Sequence, residues 1–179
     1  MRIVSGKYKG RKVNAPKSLP VRPTTDMAKE ALFNILNNEY YFDEITVLDL
    51  FSGIGSISLE FASRGTKSIM SVDNHYGCVK FLSKIADEFE ANIQTIKSDV
   101  YKFLGNTNQQ FDVIFADPPY HFPQEQFEKV YNLIFDNNLL HKNGLLIIEH
   151  SKKTDLSNLK YYDKSKRYGG NYFSFFKFE

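Results

Sequence analysis

Short apolar runs alternate along this chain with longer stretches in which apolar residues recur at helical spacing. The apolar runs predict five strands, at 45–51, 68–73, 93–97, 113–116 and 144–150. The amphipathic stretches predict helices at 26–38, 57–64, 76–91 and 124–139. Because strands alternate with helices, these elements predict parallel βαβ units in an α/β fold.

The end of the chain has a different pattern. Segments 160–168 and 172–178 are separated by Gly169 and Gly170, which predicts an antiparallel hairpin. Together with the five earlier strands, this hairpin predicts a Rossmann-like α/β fold. We expect a seven-stranded, mostly parallel sheet that ends in a C-terminal antiparallel hairpin and occupies residues 41–179.

Residues 1–40 are predicted to form a small extension of their own. Two short extended segments flank turns at Gly6 and Gly10, which predicts a small β-hairpin. A connector with three prolines leads to the first helix, for which Thr24 or Thr25 is the predicted N-cap.

Charge is distributed unevenly along the chain. The formal net charge is only +2, but residues 1–25 contain seven basic side chains and no acidic one. The other residues hold the remaining 16 of the 23 basic side chains and all 21 acidic ones, a net charge of −5. A basic arm on an acidic body indicates a polyanionic partner, and a solvated basic tail is the alternative.

Composition excludes several classes of protein. A hydrophobic fraction of 42% and a charged fraction of 25% are typical of a globular domain. The single cysteine, Cys78, excludes an intramolecular disulfide and a cysteine-based metal cluster. No apolar stretch approaches the ~20 residues of a membrane span, and the N-terminus lacks an apolar signal segment. We therefore expect a cytoplasmic protein without a bound metal or a membrane partner.

The loop after the first predicted strand contains a Gly-x-Gly turn at Gly53 and Gly55. A strand, such a turn and a helix let the backbone approach a nucleoside-bearing cofactor closely. Asp49 lies inside the apolar strand, where a carboxylate needs a cationic partner. The ammonium group of S-adenosylmethionine is such a partner. The pyrophosphate of a dinucleotide would be repelled, which disfavours an NAD-dependent oxidoreductase.

Acidic residues lie at the ends of three successive predicted strands, at Asp49, Asp73 and Asp99. The carboxyl ends of parallel strands meet at one edge of a sheet, where ligands of open α/β sheets bind. Asp73 follows Gly55 by 18 residues, the spacing expected for a carboxylate that accepts hydrogen bonds from both ribose hydroxyls. The three acids therefore predict one cofactor site.

The strand at 113–116 ends in the tetrapeptide Asp117-Pro118-Pro119-Tyr120. An exocyclic amine of a nucleobase is a poor nucleophile, because its lone pair is conjugated into the ring. Acceptors on its N–H bonds, here the Asp117 carboxylate and the Pro118 carbonyl, favour a pyramidal nitrogen with an available lone pair. Proline fixes φ and so aims the carbonyl in advance. Tyr120 offers a ring on which a base can stack after it leaves its own stack.

Much of the chain resembles the bacterial methyltransferase family that forms N2-methylguanine at position 966 of 16S rRNA. The resemblance lies in residues 1–10, 22–26, 30–36, 47–53 and 117–120. The amino-terminal runs are the more specific ones, because Asp-Pro-Pro-Tyr also occurs in DNA adenine methyltransferases.

The resemblance implies a class I methyltransferase fold that uses S-adenosylmethionine. The implied cofactor-binding residues are Thr24, Asp49, Phe51, Ser52, Gly53, Gly55, Asp73, Asn74, Asp99 and Val100, with Asp99 at the adenine amino group. The implied catalytic residues are Asp117, Pro118, Pro119 and Tyr120. We expect RNA contacts from Arg2, Lys7, Tyr8, Lys9, Arg11, Lys12 and Arg22, with Tyr8 as a surface for base stacking.

The implied substrate is 16S rRNA within the small ribosomal subunit or an assembly intermediate, and we expect a monomeric enzyme. Two alternatives stay open at this stage. One is a DNA adenine-N6 methyltransferase, which shares the tetrapeptide. The other is a non-catalytic RNA-binding assembly factor on the same fold.

Overall fold

A computed structural model describes residues 1–20 and 24–178, which are organised around one seven-stranded sheet. The strands are β1 (Thr46–Leu50), β2 (Ser68–Asp73), β3 (Ile93–Lys97), β4 (Phe111–Ala116), β5 (Leu140–Ser151), β6 (Tyr162–Tyr168) and β7 (Asn171–Lys177). Their order is β3-β2-β1-β4-β5-β7-β6. Strands β1 to β5 are parallel, and β7 is antiparallel to both of its neighbours. The predicted Rossmann-like sheet with a C-terminal hairpin is confirmed.

Helices connect the parallel strands on both faces of the sheet. They are α1 (Asp26–Asn37), α2 (Ser56–Ser63), α3 (Tyr76–Glu88), α4 (Val100–Asn106) and α5 (Gln124–Asp136), with a 3-10 turn at Phe42–Glu44. Thr25 caps α1, because its side chain accepts a hydrogen bond from the Ala28 N–H. In the described part of the chain, no helix is both long and apolar enough to cross a bilayer.

The largest differences from the sequence prediction are an additional helix and the boundary between α5 and β5. Helix α4 was not predicted, and it forms because the Asp99 side chain accepts a hydrogen bond from the Lys102 N–H as an N-cap. Helix α5 ends at Asp136 rather than at Leu139, and Asn138 adopts a left-handed conformation with φ of 54°. Leu140 then pairs with Phe111, so β5 begins four residues earlier than the predicted strand.

The central strands β1, β4 and β5 are buried on both faces, which explains their continuous apolar runs. Successive residues of a strand point to opposite faces. Leu48, Ile114 and Leu146 therefore pack in one core with α4 and α5. Their neighbours Val47, Val113 and Leu145 pack in a second core with α1 and α2.

The predicted N-terminal hairpin forms. Arg2 and Lys12 pair in an antiparallel bridge, and the Ile3 N–H donates to the Arg11 carbonyl at 3.0 Å. Ile3, Tyr8 and Val13 pack on Leu59 of α2 and Leu82 of α3 in a third, smaller core. The hairpin is thus docked on the sheet domain, and the division of the chain at residue 40 stays a prediction.

The N-terminal hairpin reaches the amino edge of the parallel strands, which is opposite to the edge where their carboxyl ends lie. Helices α2 and α3 follow the carboxyl ends of β1 and β2, and they end at the amino edge. The Lys7 N–H donates to the carbonyl of Ser63, the last residue of α2, at 2.6 Å. The Tyr8 hydroxyl donates to the carbonyl of Phe89, the C-cap of α3, also at 2.6 Å. The tip of the hairpin therefore lies at the amino edge.

Candidate active site

A cavity of about 540 Å³ opens at the carboxyl edge of β1, β2 and β4. All but one of the predicted catalytic and cofactor-binding residues line it. These are Thr24, Asp49, Phe51, Ser52, Gly53, Asp73, Asn74, Asp99, Val100, Asp117, Pro118, Pro119 and Tyr120. The topology thus brings together residues that lie up to 96 positions apart in the chain, between Thr24 and Tyr120.

Gly55 is the exception, since it is buried beside the cavity rather than on its wall. Its φ of 79° is in the left-handed region, and a Cβ built there would lie 2.3 Å from Leu82 Cδ1. A glycine at this position therefore allows α2 to begin against α3. Gly53 does line the cavity, and its N–H donates to Asp73 Oδ2 at 2.8 Å.

Asp49 is buried at the base of the cavity, with 2% of its surface exposed. Its Oδ2 accepts hydrogen bonds from the Ser58 N–H at 3.1 Å and from the Ser58 hydroxyl at 2.5 Å. The Ser58 hydroxyl also lies 2.5 Å from Ser71 Oγ. The protein itself therefore provides partners for this carboxylate, which sequence reasoning had left to a cofactor. Burial nevertheless raises the pKa of Asp49 to about 7, and the charge of Asp73 adds to this effect.

The other two acids at strand ends organise the loops that carry them. Asp73 Oδ1 accepts a hydrogen bond from the His75 N–H at 2.8 Å, in addition to the Gly53 bond on Oδ2. Asp99 Oδ1 accepts the bond that caps α4. A carboxylate has about four lone-pair positions. Both residues thus keep capacity to accept hydrogen bonds from a ligand in the cavity.

The chemistry of the wall fits S-adenosylmethionine. The wall carries Asp49, Asp73, Asp99 and Asp117, and among the residues that the structure describes no Lys or Arg lines it. Such a wall suits a cation and opposes a pyrophosphate. Ser56 Oγ is buried on the wall at the start of α2 and has no hydrogen-bond partner within the described chain. A carboxylate, such as that of a methionine moiety, would satisfy this donor.

The Asp117–Tyr120 segment leaves the sheet directly after β4 and forms another part of the wall. Burial raises the pKa of Asp117 well above its ordinary value, and the charges of Glu149 and Asp49 raise it further. Tyr120 is 40% exposed, and its hydroxyl donates to Glu149 Oε1 at 3.3 Å. The ring is thus held at the mouth of the cavity.

Glu149 is a site residue that the sequence analysis missed. It is 1% exposed, and three chain segments donate to it: Thr24 Oγ1 at 3.3 Å, Asn171 Nδ2 at 2.6 Å and the Tyr120 hydroxyl. The signal was present, because Glu149 is an acid in an apolar strand just as Asp49 is. Asn171 and Ser58 gave no such signal, since only the tertiary fold brings them to these carboxylates.

None of the predicted RNA-binding residues that the structure describes lines the cavity. Five of them are exposed basic residues of the hairpin: Arg2, Lys7, Lys9, Arg11 and Lys12. Arg2 also forms an ion pair with Asp26 at 3.1 Å. Arg22 lies outside the described residues.

The prediction that Tyr8 is a stacking surface for a base is wrong. Only 4% of this residue is exposed, because its ring packs on Phe89 with centroids 5.0 Å apart. The Arg11 guanidinium lies 5.4 Å from the same ring. Tyr8 therefore anchors the hairpin.

Cys78 is buried and lines the cavity, and burial together with the charge of Asp73 raises the pKa of its thiol to about 11. It is therefore a neutral thiol at physiological pH. Among the residues that the structure describes, no group of three His, Cys, Asp or Glu side chains is placed to hold a metal ion.

Comparison with known proteins identifies relatives along nearly the whole chain. The model of the family described as conserved hypothetical protein 95 matches residues 1–177. The ribosomal RNA small subunit methyltransferase D of Escherichia coli K12 is 31% identical over 157 residues, which covers 87% of this chain and 77% of that protein. A hypothetical protein of Thermus thermophilus has a solved structure with a TM-score of 0.85, 25% identity and 99% coverage of both chains.

A more distant structure shares the fold. It is a 16S rRNA N2 methyltransferase of T. thermophilus in complex with AdoMet and guanosine. The TM-score is 0.72 at 19% identity, and the match covers 89% of this chain and 45% of that one. At this identity the likeness shows a common class I methyltransferase fold.

Proposed function

The chain belongs to the family described as conserved hypothetical protein 95, and we propose that it transfers a methyl group from S-adenosylmethionine to the exocyclic N2 of a guanine in 16S rRNA. The proposed target is the guanine at position 966, in the small ribosomal subunit or an assembly intermediate. The E. coli relative is named a ribosomal RNA small subunit methyltransferase, which supports this substrate class.

One observation carries the proposal: Asp117, Pro118 and Tyr120 share a single cavity with the acids at the ends of β1, β2 and β3. A reacting amine at Asp117 would thus lie in the same enclosed space as a cofactor at Asp73 and Asp99. Holding the two reactants together supplies much of the acceleration in a direct transfer. No covalent enzyme intermediate is needed, which agrees with the raised pKa of Cys78.

The proposed roles on the cofactor side follow from the donors and acceptors of the wall. S-adenosylmethionine supplies an electrophilic methyl group when it is bound. Asp73 would accept hydrogen bonds from the ribose hydroxyls, and Asp99 from the adenine amino group. Asp49 would face the ammonium group, and the Ser56 hydroxyl would donate to the carboxylate. Thr24, Phe51, Ser52, Gly53, Asn74 and Val100 would complete the contact surface.

The proposed roles on the substrate side concern one nitrogen. The Asp117 carboxylate and the Pro118 carbonyl would accept hydrogen bonds from the two N–H groups of guanine N2, which makes the lone pair of this nitrogen available. Pro119 would fix the turn. Tyr120 would stack on the base. As the new C–N bond forms and the bond from methyl to sulfur breaks, the nitrogen becomes acidic. Its proton then passes to Asp117 or to water.

Methyl transfer to isolated small subunits tests the proposal. Subunits from cells that lack this activity are incubated with labelled S-adenosylmethionine, and the product nucleosides are identified by mass spectrometry. We expect N2-methylguanosine with the wild-type protein and none with Asp117→Ala. Tight cofactor binding without any product on 16S rRNA would show that the proposed substrate is wrong. Formation of N6-methyladenine in DNA would then favour a DNA adenine-N6 methyltransferase.

A further inference from the structure

Two lysines, Lys152 and Lys153, follow a strand end beside Asp117–Tyr120, which we call the catalytic segment after its proposed role. Strands β4 and β5 are parallel with Ala116 opposite Ile148, so both end at the same edge. The Asp117–Tyr120 segment continues from one strand there, and Lys152 and Lys153 follow the last residue of the other. Both lysines are exposed.

The C-terminal hairpin brings an arginine to the same edge. Arg167 pairs with Tyr172, and Tyr172 pairs with His150, the neighbour of Glu149. With strands spaced by about 4.8 Å, the Arg167 backbone lies roughly 10 Å from His150. The His150 and Tyr172 rings stack with centroids 5.9 Å apart, and the Arg167 guanidinium lies 6.0 Å from the Tyr172 ring. The Arg167 guanidinium is thus held against the stacked rings of Tyr172 and His150.

Hydrogen bonds connect this hairpin to the catalytic segment. Asn171, the first residue of β7, donates to Glu149, which also accepts the Tyr120 hydroxyl. Lys152, Lys153 and Arg167 thus form a basic rim at the carboxyl edge of the sheet, next to the strand end from which Asp117–Tyr120 leaves. The Arg167 side chain lies on the His150 face of the sheet, opposite the face of Glu149.

The tip of the basic N-terminal hairpin lies elsewhere, whereas Arg2 of the same hairpin pairs with Asp26, close to the cavity-lining Thr24. The tip contacts the last residue of α2 and the C-cap of α3, at the amino edge of the sheet. Helices α2 and α3 both begin at the cavity and have 8 and 13 residues, so helix lengths of about 12 Å and 20 Å separate the tip from the cavity. Lys7, Lys9 and Arg11 therefore lie at least one helix length from a base in the cavity.

The charge of the cavity wall creates a need for such a rim. Four carboxyl groups line the cavity. They suit a cationic cofactor, but they repel the phosphates that flank a base entering from a nucleic acid strand. Since a target base must leave its stack to reach the cavity, the adjoining backbone has to be held at the border. Lysine and arginine are the side chains that bind it.

We infer that Lys152, Lys153 and Arg167 bind the phosphates of the RNA strand on either side of the target base. The inference rests on the proposed function and adds a contact surface to it. Lys152 and Lys153 contribute point charges, and Arg167 contributes a planar group with several donors for bidentate contact. The N-terminal hairpin then contacts a separate, more distant part of the same RNA.

The test compares two variants with the same change in net charge. Lys152→Ala/Lys153→Ala removes two charges from the rim. Lys142→Glu also lowers the net charge by two, but Lys142 lies near the amino end of the same strand, β5, at the opposite edge of the sheet. The measurements are the Kd and KM for small subunits over a range of salt concentrations, the Kd for S-adenosylmethionine and the melting temperature.

We expect the rim variant to bind subunits about 20-fold more weakly at ~0.1 M salt, with a salt dependence that is smaller by about 0.7 per lost phosphate contact. Arg167→Ala should weaken binding in the same direction. Cofactor affinity and melting temperature should match those of the wild type. Lys142→Glu should bind subunits as the wild type does.

Two results would overturn the inference: wild-type subunit affinity in the rim variant, or equal weakening by Lys142→Glu. Failure of the proposed function looks different. In that case the wild-type protein itself forms no N2-methylguanosine, whatever the variants bind.

Discussion

Three acidic side chains meet at the carboxyl edge of neighbouring strands, and burial opposes the ionisation of two of them, Asp49 and Asp117. Asp49 belongs to β1, Asp117 follows β4 and Glu149 belongs to β5. Burial and mutual repulsion raise the pKa of Asp117, and burial raises that of Asp49. Groups whose pKa values are raised in this way cluster at functional sites, which supports a function in the cavity.

Asp49→Asn should stabilise the protein in a pH-dependent way. The pKa of Asp49 is raised from 3.8 to about 7, so the folded state binds a proton between these values that the unfolded chain does not bind. Stability therefore falls as the pH rises through this window, by up to about 1.4 kcal/mol per pH unit. Asparagine avoids this loss and can still accept the Ser58 hydrogen bonds.

Thermal unfolding of the protein without ligand at pH 5 and pH 8 checks this expectation. The gain in melting temperature should be larger at pH 8. Asp43→Asn, at an exposed position, controls for the loss of one negative charge. A gain that is equal at the two pH values would contradict the effect of burial on Asp49.

Glu149→Gln should lower kcat while leaving cofactor affinity nearly unchanged. Glu149 accepts hydrogen bonds from Thr24, Tyr120 and Asn171. Glutamine can keep its oxygen toward Tyr120 and Asn171 and turn its amide to the Thr24 hydroxyl, but it carries no charge. The hydrogen bond that positions Tyr120 is therefore weaker than the bond to the carboxylate. A loss of roughly ten-fold or more corresponds to one hydrogen bond to a charged group.

Single-turnover methyl transfer and equilibrium cofactor binding check this split. Glu125→Gln, at an exposed position of α5, is the matched control. A wild-type kcat in Glu149→Gln, or a parallel loss of cofactor affinity, would show that Glu149 does not position the catalytic segment.

At the scale of elements, a buried glutamate adds a polar attachment of the N-terminal hairpin to the apolar contacts that dock it on the domain. Glu60 of α2 is fully buried and accepts hydrogen bonds from the Val4 and Ser5 N–H groups, each at 3.0 Å. It also lies 3.9 Å from the buried Lys29 ammonium and 3.0 Å from Arg64. Burial lowers the pKa of Lys29, and the charges of Glu60 and Asp26 oppose this.

Glu60→Ala should therefore destabilise the fold by about 3–5 kcal/mol, because it leaves Lys29 and two N–H groups without their buried acceptor. Denaturant unfolding measures this loss. Glu88→Ala removes an exposed partner of Lys84 and should cost less than about 1 kcal/mol. Equal losses in the two variants would mean that the hairpin is not held through Glu60.

The elements of the sheet could be predicted from sequence, because apolar runs, Gly-x-Gly and Pro-Pro mark local constraints on the backbone. The acids at strand ends could likewise be assigned to one edge, since the topology of parallel strands fixes that edge. Tyr8 was misassigned because its burial depends on Phe89, which lies 81 residues away. Asn171 and Ser58 escaped for the same reason: a polar residue becomes a site residue only through its tertiary partner.

At the scale of the molecule, basic residues occupy two opposite edges of the sheet. The hairpin tip with Lys7 and Lys9 lies at the amino edge, and the basic rim lies at the carboxyl edge beside the cavity. The acidic cavity lies between α2, α3 and the catalytic segment. This arrangement suits a large folded RNA that contacts the protein at both edges while one base enters the cavity.

The two basic surfaces should contribute independently to binding of the small subunit. Lys7→Ala/Lys9→Ala should weaken binding and reduce its salt dependence, because fewer counterions are released. Since the surfaces lie more than 10 Å apart, combining these changes with Lys152→Ala/Lys153→Ala should multiply the two losses to within about two-fold. Titration of subunits with the four proteins measures this, and a combined loss no larger than either single loss would contradict two separate contacts.

Methyl transfer to guanine N2 at the Asp117 segment can be measured with two kinds of small subunit. One carries guanine at position 966 of its 16S rRNA, and the other carries adenine, which lacks the 2-amino group. We predict that the wild-type protein methylates the first and not the second, and that Asp117→Asn binds both but methylates neither. Methylation of the adenine-bearing subunits would contradict guanine N2 as the target, and continued transfer by Asp117→Asn would contradict the proposed role of Asp117.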